Sequence, residues 1–466
     1  MFEINRIIDT DSYKASHFLQ YPPNTTRAFF YLESRGSDRD WNETVFFGLQ
    51  YLLKNYFLAP FTQAMVEEAR EVIMAHGLPF NYDGWTNLIA KHHGKLPLRI
   101  RAVAEGSIVP LHNVLMTVET TDDEFAWIGS WFETQLLRVW YAITVSTQSW
   151  QIKRDVYKFL QETADDADAE VAFKVHDFGA RGVSSQETAA IGGAAHLVNF
   201  MGSDTMAALL LHRKFYNCPM AGFSIPAAEH STITSWGRDN EIAAYRNMLS
   251  HFAKPGKTIA VVSDSWDIYN AVEKIWGEQL KQEVVDSGAT VVIRPDSGEP
   301  VEVVSKVAQI LSEKFGYKIN SKGFKVINNV RIIQGDGVNQ NSIKAILQRL
   351  KDGGFSASNI AFGIGGSLLQ KVDRDTLKFA YKCSAIVTDG NWRDVYKQPI
   401  TDAGKKSKKG KLDLIRDENG AYQTVKLEDS AASAKNSQLR TVYENGELLI
   451  DDDLEAIRKR AAAHLV

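Results

Sequence analysis

The sequence predicts an α/β protein with an irregular (β/α)8-type barrel, plus an α+β domain whose largely antiparallel sheet is built from the N- and C-terminal segments. Short apolar runs, each ending in a charged or glycine-containing turn, recur along the middle of the chain and precede helix-like segments. Such runs are typical of strands buried on both faces of a parallel sheet. Residues 26–33 and 96–103 alternate polar and apolar side chains instead, which favours antiparallel strands.

The clearest barrel run is 289–298, where an apolar strand ends at Arg294, Asp296 and Gly298. Comparable runs lie at 171–177, 223–229, 258–264, 331–336 and 360–366, with weaker ones at 199–204 and 379–385. This makes about eight strands in about 215 residues, near the size of a (β/α)8 barrel. Their uneven spacing predicts an irregular barrel.

Three segments follow from these patterns. Residues 1–170 are predicted to form an N-terminal α+β domain with a helical linker, 171–385 the barrel that carries the active site, and 386–466 a C-terminal segment that completes the α+β domain. Trp127 and Trp131 share one helix face, which favours a core or dimer-interface stripe. The acidic residues 165–170 are interpreted as a solvated linker, and Asn341 as a helix cap.

Composition excludes several classes of protein. With 466 residues, of which 44% are hydrophobic, the chain is long enough for about two to three domains. A net charge of −4 argues against general binding to nucleic acid or anionic membranes. Cys218 and Cys383 form no metal-spaced or redox pair, and no apolar run is long enough to span a bilayer. We therefore expect a cytoplasmic location, no nucleic-acid partner and no membrane association.

Four aspartates follow predicted barrel strands and would share one rim. They are Asp204, Asp264, Asp296 and Asp336. Each alone fits an ordinary helix cap. Together with Arg294 and Arg374 they would suit a phosphorylated sugar, because arginine binds phosphate, and carboxylates bind ribose hydroxyls or a magnesium ion.

Phosphate-binding loops of the common kinds are missing. Residues 404–411 are basic but lack the glycine spacing of a P-loop, which leaves either a solvated loop or a rim that attracts polyphosphate. Residues 363–367 fall short of a full GxGxxG motif. Gly365 and Gly366 nevertheless offer backbone N–H groups just before a helix, which suits phosphate.

His230 is the histidine that directly precedes a helix at a predicted barrel mouth. A lone histidine there could simply cap or pack. Glu229 beside it and Asp264 on the next strand favour a chemical role, because a carboxylate fixes the imidazole tautomer and raises the basicity of the other nitrogen. Such a histidine serves as a general base or a phosphoryl acceptor.

Several motifs, in order along the chain, resemble those of the nicotinamide phosphoribosyltransferases, which are type II phosphoribosyltransferases. They are DSYK at 11–14, HDFGARG at 176–182, GSDT at 202–205, PAAEHS at 226–231, RPDSG at 294–298, QGDG at 334–337 and KKG at 408–410. The resemblance implies an obligate homodimer with shared active sites. It also implies transfer from 5-phosphoribosyl 1-pyrophosphate to nicotinamide in NAD salvage, with ATP as co-substrate through a phosphohistidine and Mg²⁺ arriving with pyrophosphate or ATP.

The resemblance also implies roles for particular residues. The catalytic group would be His230, Glu229, Asp264 and Asp296. The nicotinamide-binding group would be Phe178, Arg181, Asp204, Arg294 and Tyr13 of the partner subunit. The ribose- and phosphate-binding group would be Arg294, Asp296, Gly335, Asp336, Gly365, Gly366, Arg374, Arg35, Lys382 and Lys397, and no cluster of protein side chains is expected to hold a metal by itself.

Two alternatives stay open at this point. The nearer one is a nicotinate phosphoribosyltransferase with the same fold, although the charge of Asp204 would repel nicotinate. The other is a catalytically silent relative that acts as a binding or signalling protein. Ser367, where the family pattern suggests glycine, and Ala260, where it suggests a small hydroxyl residue, depart from the resemblance.

Overall fold

The computed structural model describes residues 4–401, 406–427 and 436–463. The chain divides into two compact units. One, the antiparallel unit, is built from the described parts of Met1–Thr147, Lys214–Cys218 and Asp373–His464. The other, the parallel unit, is built from Gln148–Arg213 and Pro219–Val372. The sequence predicted the changes near residues 170 and 385, so the parallel unit begins earlier and ends earlier than expected.

The described strands, in chain order, are β1 Thr25–Ser34, β2 Glu43–Val45, β3 Leu98–Ala102, β4 Ile108–Pro110, β5 Val114–Thr120, β6 Val175–Asp177, β7 Gly202–Ser203, β8 Thr258–Val262, β9 Thr290–Arg294, β10 Tyr317–Ile319, β11 Lys325–Ile327, β12 Val330–Gln334, β13 Ile360–Ile364, β14 Phe379–Thr388, β15 Asn391–Asp394, β16 Leu412–Arg416, β17 Tyr422–Lys426, β18 Arg440–Glu444 and β19 Glu447–Leu448.

The described α-helices are α1 Leu49–Leu52, α2 Gln63–Ala75, α3 Tyr82–His92, α4 Ile128–Trp131, α5 Glu133–Leu137, α6 Val139–Thr163, α7 Ala167–Val171, α8 Gln186–His196, α9 Met206–Phe215, α10 His230–Thr234, α11 Glu241–Phe252, α12 Ile268–Asn270, α13 Lys281–Ser287, α14 Pro300–Phe315, α15 Gln340–Asp352, α16 Gly366–Leu369 and α17 Leu454–Ala462. Short 3-10 turns lie at Ser12–Leu19, Ala180–Gly182, Arg238–Asn240 and Ala357–Asn359, and π-helical turns at Leu53–Phe57 and Ala271–Gln279. None of the helices in the described ranges is long and apolar enough to cross a membrane.

The parallel unit is a small closed barrel. Its six parallel strands follow the order β7-β6-β13-β12-β9-β8. Single-residue bridges join the intervening segment 223–228 to both edges, Phe223 to Gly202 and Ala227 to Ala260. Six strands and this closing segment make seven positions around the barrel. The predicted barrel architecture is confirmed, but with seven positions where the sequence suggested eight.

The closing segment is irregular because Pro226 lacks an N–H group and cannot donate to a ladder. Its carbonyl still accepts from the N–H of Ala260 at 2.9 Å, and the N–H of Ala228 donates back to the Ala260 carbonyl at 2.9 Å. Residues 223–229, which the sequence predicted as a strand, therefore take a strand's place without forming one.

The prediction that 379–385 is a barrel strand is wrong. These residues lie in β14, which pairs antiparallel with β1 from Phe379 opposite Ser34 to Thr388 opposite Thr25. The apolar run gives no information on which distant strand it will meet. Its alternating burial, with Phe379 and Tyr381 inside and Ala380 and Lys382 partly exposed, is the pattern of an antiparallel strand.

The antiparallel unit joins the two ends of the chain, as predicted. Its sheet has the order β15-β14-β1-β5-β3-β18-β19. Trp127 and Trp131 are buried edge to face, with ring centroids 5.7 Å apart, and both pack on Trp85. The tryptophan stripe is therefore part of the core.

Two local predictions need correction. The acidic stretch 165–170 is not a linker, because Asp166 accepts from the N–H of Ala169 at 2.9 Å and caps α7. Asn339, not Asn341, caps α15, accepting from the N–H of Asn341 at 2.9 Å. In both places the residue before the first helical turn supplies the side-chain oxygen, as N-caps do.

Candidate active site

The carboxyl ends of the parallel strands form the candidate site. Predicted site residues at or just after these ends are Phe178 after β6, Asp204 after β7, Asp264 after β8, Arg294 and Asp296 at β9, Gly335 and Asp336 after β12, and Gly365 and Gly366 after β13. Parallel strands of a barrel point their carboxyl ends at one rim, so these residues gather there. His230 starts α10 directly after the closing segment.

Asp204 sits among hydrogen-bond donors. Its Oδ1 atom lies 2.8 Å from Nε2 of His176 and accepts from the Ser224 hydroxyl at 2.6 Å. Burial alone would raise the pKa of Asp204, but these hydrogen bonds, together with the charges of His176 and Arg294, hold that pKa below its usual value. The carboxylate is therefore ionised at neutral pH, while its side chain stays 48% exposed.

Phe178 fills the middle of the rim. Its ring packs on Ala260, Val292 and Ile333 from three strands, and the Arg294 guanidinium lies 5.4 Å from its centroid. A Cβ atom on Gly363 would lie 1.9 Å from Cε2 of Phe178. Glycine at 363 is therefore required for the ring to occupy this place.

Gly363→Ala is accordingly expected to displace the Phe178 ring and to raise the KM for nicotinamide, the base that the resemblance implies, by about tenfold, or about 1.4 kcal/mol of binding. Steady-state kinetics over a range of nicotinamide concentrations would measure this. Gly353→Ala is the matched control, because its added Cβ would approach no closer than 3.3 Å to the Phe355 ring. Equal effects of the two substitutions would contradict the role of Gly363.

Arg294 and two aspartates form one connected network. Arg294 donates to both carboxylate oxygens of Asp296, from Nη2 at 2.8 and 2.9 Å and from Nε at 3.1 Å. Asp264 supports this loop through Oδ2, which accepts from the Asp296 N–H at 2.8 Å and from the Ser297 hydroxyl at 2.6 Å. The guanidinium is thus held in a fixed plane at the end of β9.

His230 faces the same carboxylates. Its Nε2 lies 3.4 Å from Oδ2 of Asp296 and 3.8 Å from Oδ1 of Asp264, and its Nδ1 lies 3.2 Å from the Ser265 hydroxyl. Asp264 is 3% exposed, whereas His230 is 47% exposed. Within the described residues, Oδ1 of Asp264 accepts no hydrogen bond.

Glu229 stands at the start of α10, directly before His230. Its backbone N–H donates to the Thr232 hydroxyl at 3.2 Å, and its carboxylate accepts from the Ser231 hydroxyl. Glu229 is thus the N-cap of α10 and acts on His230 by fixing the first turn of the helix that carries it.

The remaining predicted residues of the barrel are two glycines, which leave space at the rim, and two exposed charged residues. A Cβ on Gly335 would crowd Nε of Arg294 at 3.2 Å, so this glycine makes room for the guanidinium. At Gly366 an added Cβ would meet no described atom within 4 Å, so the backbone there is open. Arg181, in the 3-10 turn, and Asp336 are both exposed.

Five predicted residues belong to the antiparallel unit instead. They are Tyr13, Arg35, Arg374, Lys382 and Lys397. Burial lowers the pKa of Lys382, and although Glu133 opposes it, the positive charges of Arg35 and Lys397 lower it further. The charges of Arg35 and Lys397 therefore act on Lys382.

The other two differ in their surroundings. Tyr13 is 59% exposed, and Arg374 is exposed beside Asp375, with Nη2 to Oδ1 at 3.0 Å. In the basic loop, Lys405 lies outside the described residues, while Lys408 pairs with Glu33, which also binds Nε of Arg35 at 2.8 Å. The predicted role of each of these residues in binding substrate stays a prediction.

Sequence reasoning missed His176 and Ser224, the two partners of Asp204. His176 stands in a motif that was recognised as a whole, and Ser224 directly precedes Ile225 and Pro226 without any marking pattern. The sequence position of His176 was the available signal for a place at the rim, because His176 lies next to Asp177, the last residue of β6, and Phe178 follows directly. This position indicates a contact with Asp204 only once β6 and β7 are known to be neighbours.

Comparison with known proteins agrees with this geometry. The model of the Nicotinate phosphoribosyltransferase (NAPRTase) family matches residues 173–447, and that of the Nicotinamide phosphoribosyltransferase N-terminal domain matches 5–100. A nicotinamide phosphoribosyltransferase of Xanthomonas campestris pv. campestris is 57% identical over 98% of both chains. One of Acinetobacter baylyi is 31% identical over 100% of this chain and 98% of its own.

Solved structures share the fold at low identity. A nicotinate-nucleotide pyrophosphorylase from Pyrococcus furiosus has a TM-score of 0.64 at 16% identity, covering 99% of this chain and 96% of its own. The human nicotinic acid phosphoribosyltransferase has a TM-score of 0.58 at 17% identity, covering 97% and 93%. With the motifs, the barrel rim and these relatives in agreement, the chain belongs to the nicotinate phosphoribosyltransferase family and, within it, to the nicotinamide phosphoribosyltransferases.

Proposed function

We propose that this chain transfers the 5-phosphoribosyl group of 5-phosphoribosyl 1-pyrophosphate to nicotinamide in NAD salvage. The bond from ribose C1 to the pyrophosphate oxygen breaks, and a bond from C1 to the ring nitrogen forms, giving nicotinamide mononucleotide and pyrophosphate. The observation that carries the choice of base is the ionised carboxylate of Asp204 at the barrel rim. A carboxylate accepts hydrogen bonds and repels other carboxylates, so it accepts the carboxamide N–H and disfavours nicotinate.

The aromatic ring of Phe178 contributes to the chemical step. As the glycosidic bond forms, the ring nitrogen of nicotinamide becomes cationic. Stacking on Phe178 then gains cation–π attraction of about 0.5–2 kcal/mol, mainly toward the transition state and product. Tyr13 of the partner subunit would cover the opposite face.

Base choice is tested by Asp204→Asn. Removing the charge, while keeping an oxygen that accepts hydrogen bonds, is expected to lower the ratio of kcat/KM for nicotinamide to that for nicotinate by about tenfold or more, a change of about 1.4 kcal/mol per factor of ten. Asp204→Ala should also raise the KM for nicotinamide, because the carboxamide loses its acceptor. Equal use of both bases by the unmodified chain would show that Asp204 does not select the base.

The sugar and its phosphates would bind across the rest of the rim. Arg294 and Asp296 are preorganised for phosphate and ribose hydroxyls, and Gly365 and Gly366 offer backbone N–H groups to the 5-phosphate. No group of three or more metal-binding side chains occurs in the described ranges. Mg²⁺ is usually held by one or two carboxylates plus substrate phosphates, and Oδ1 of Asp264, which accepts no hydrogen bond from the described residues and lies near Asp296, fits that pattern. When bound, the ion would neutralise charge on pyrophosphate.

ATP is proposed as a co-substrate that phosphorylates His230. His230 is exposed, and both ring nitrogens have polar partners that can fix the tautomer. The chain has no P-loop, so ATP would use the same Arg and Gly groups as 5-phosphoribosyl 1-pyrophosphate, and the two would bind in turn.

We further propose a homodimer in which Tyr13 completes the site of the partner subunit. Mixing Tyr13→Ala chains with Arg294→Ala chains, each nearly inactive, should then restore about a quarter of the activity per dimer, because half of randomly formed dimers are hybrids with one intact site of two. Activity would be measured after exchange of differently tagged subunits is verified. No recovery despite proven exchange would place Tyr13 in the site of its own chain.

A further inference from the structure

The carboxylate that selects the base is itself held from two sides. Asp204 follows β7, His176 lies on the neighbouring β6, and Ser224 lies in the closing segment on the other side of β7. Both donate to the same oxygen, with His176 Nε2 at 2.8 Å and Ser224 Oγ at 2.6 Å from Oδ1. The backbone N–H of Asp204 is fixed as well, donating to the carbonyl of Asp177 at 3.0 Å.

This arrangement divides the two carboxylate oxygens between two tasks. Oδ1 receives two hydrogen bonds from the protein, whereas Oδ2 accepts none from the described residues. His176 is also tightly placed, because its side chain is only 15% exposed and a Cβ at residue 202 would lie 2.7 Å from its Nδ1. Gly202 therefore leaves the space in which the imidazole stands.

We propose that His176 and Ser224 are positioning residues that set specificity for an uncharged carboxamide, by fixing Asp204 through Oδ1 so that Oδ2 accepts the carboxamide N–H. Neither residue needs to touch the substrate for this role. The inference rests on the proposed function, because it assigns these two residues to the selection of nicotinamide by Asp204.

The donors His176 and Ser224 affect both the ionisation and the position of the Asp204 carboxylate. Two donors on one oxygen stabilise the charged form of the acid. The acid stays ionised at neutral pH when one donor is lost, but its carboxylate is no longer fixed beside the base, so binding of nicotinamide should weaken while rejection of nicotinate relaxes. A purely structural role would instead affect both bases equally.

The experiment measures kcat/KM for nicotinamide and for nicotinate with the full-length chain. His176→Ala is expected to lower the nicotinamide-to-nicotinate ratio by about ten- to hundredfold, the effect of losing a hydrogen bond to a charged group. Most of the change should fall on the KM for nicotinamide. His176→Gln should recover much of the ratio, since its side-chain amide can place a donor near the position of Nε2.

Ser224→Ala is the second, less disruptive variant, with the same direction of change expected. The matched control is His92→Ala, which removes another histidine–aspartate hydrogen bond, His92 Nε2 to Asp122 Oδ2 at 3.0 Å, in the antiparallel unit. It should leave the ratio unchanged. Thermal melting of each variant identifies any that does not fold. If His176→Ala does not fold, the base ratio of Ser224→Ala tests the positioning role.

The outcomes separate the inference from the proposed function. A chain that turns over neither base, or an Asp204→Asn variant with the original ratio, would overturn the assignment of Asp204 and this inference with it. If Asp204→Asn lowers the ratio but Ser224→Ala and a folded His176→Ala keep it, the proposed function stands and the positioning role is wrong. A lowered ratio in both Ser224→Ala and His176→Ala, with recovery in His176→Gln, supports the positioning role.

Discussion

Replacing His230 by alanine is expected to abolish ATP hydrolysis while leaving part of the phosphoribosyl transfer intact. In the proposed phosphorylation step, the bond between the γ-phosphorus and the bridging oxygen of ATP would break, ADP would leave, and a phosphorus–nitrogen bond would form at the imidazole. Asp296, 3.4 Å from Nε2, and Asp264, 3.8 Å away, would stabilise the positive charge that the ring acquires. Alanine removes the attacking nitrogen altogether, whereas Phe178 and Asp204 remain to bind the base.

The measurement uses ATP labelled at the γ-phosphate. The unmodified chain should acquire an acid-labile, base-stable phosphate that is missing from His230→Ala, and ATP should no longer stimulate nicotinamide mononucleotide formation. His251→Ala is the matched control, since His251 is an exposed histidine of the same unit, on α11. Labelling that persists undiminished in His230→Ala would show that another residue accepts the phosphate.

Arg294→Ala is expected to lower kcat/KM by about a thousandfold, or about 4 kcal/mol, the upper range for removing one preorganised donor from an active site. The guanidinium holds Asp296 through both carboxylate oxygens and lies over Phe178, so its loss should disturb the regions proposed to bind phosphate, ribose and base together. Arg294→Lys should recover only a small part of the activity, because an ammonium group cannot form the paired, coplanar hydrogen bonds.

Arg246→Ala provides the comparison. Arg246 also pairs with a carboxylate in the parallel unit, with Nε 3.0 and 3.1 Å from the two oxygens of Glu283, but both side chains are exposed. Exposed ion pairs contribute about 0–1 kcal/mol to the free energy of unfolding, so the stability of Arg246→Ala should change little. Its activity should change little as well, because the pair lies outside the candidate site. A similar loss of activity in Arg246→Ala and Arg294→Ala would mean that folding, not the site, explains the result.

Several features could be predicted because they depend on short-range chemistry. Central parallel strands bury both faces, so β9 and β8 are visible as apolar runs. Polar residues at their carboxyl ends then mark the rim, which placed Asp264, Arg294 and Asp296 correctly beside one another.

Features that depend on pairing between distant strands could not be predicted. The run that became β14 looks apolar whichever sheet it joins, and only its partner β1 decides the sheet. The link between His176 and Asp204 depends in the same way on β6 meeting β7. The contact that Glu229 makes was also not predicted, because a carboxylate next to a histidine in sequence can turn toward the helix start.

The closing segment 223–228 has a thermodynamic consequence. It is held to its neighbours by backbone hydrogen bonds at its two ends, to Met201 and Ser203 through Phe223 and to Ala260 through Pro226 and Ala228. Ser224, which holds Asp204, lies at one end, and His230 follows the other. A shift of the segment on phosphorylation of His230 would therefore change the affinity for nicotinamide, and linkage requires that bound nicotinamide change the equilibrium of phosphorylation in the same direction and by the same factor. Base recognition and the energy of ATP would thus be coupled through a single stretch of backbone.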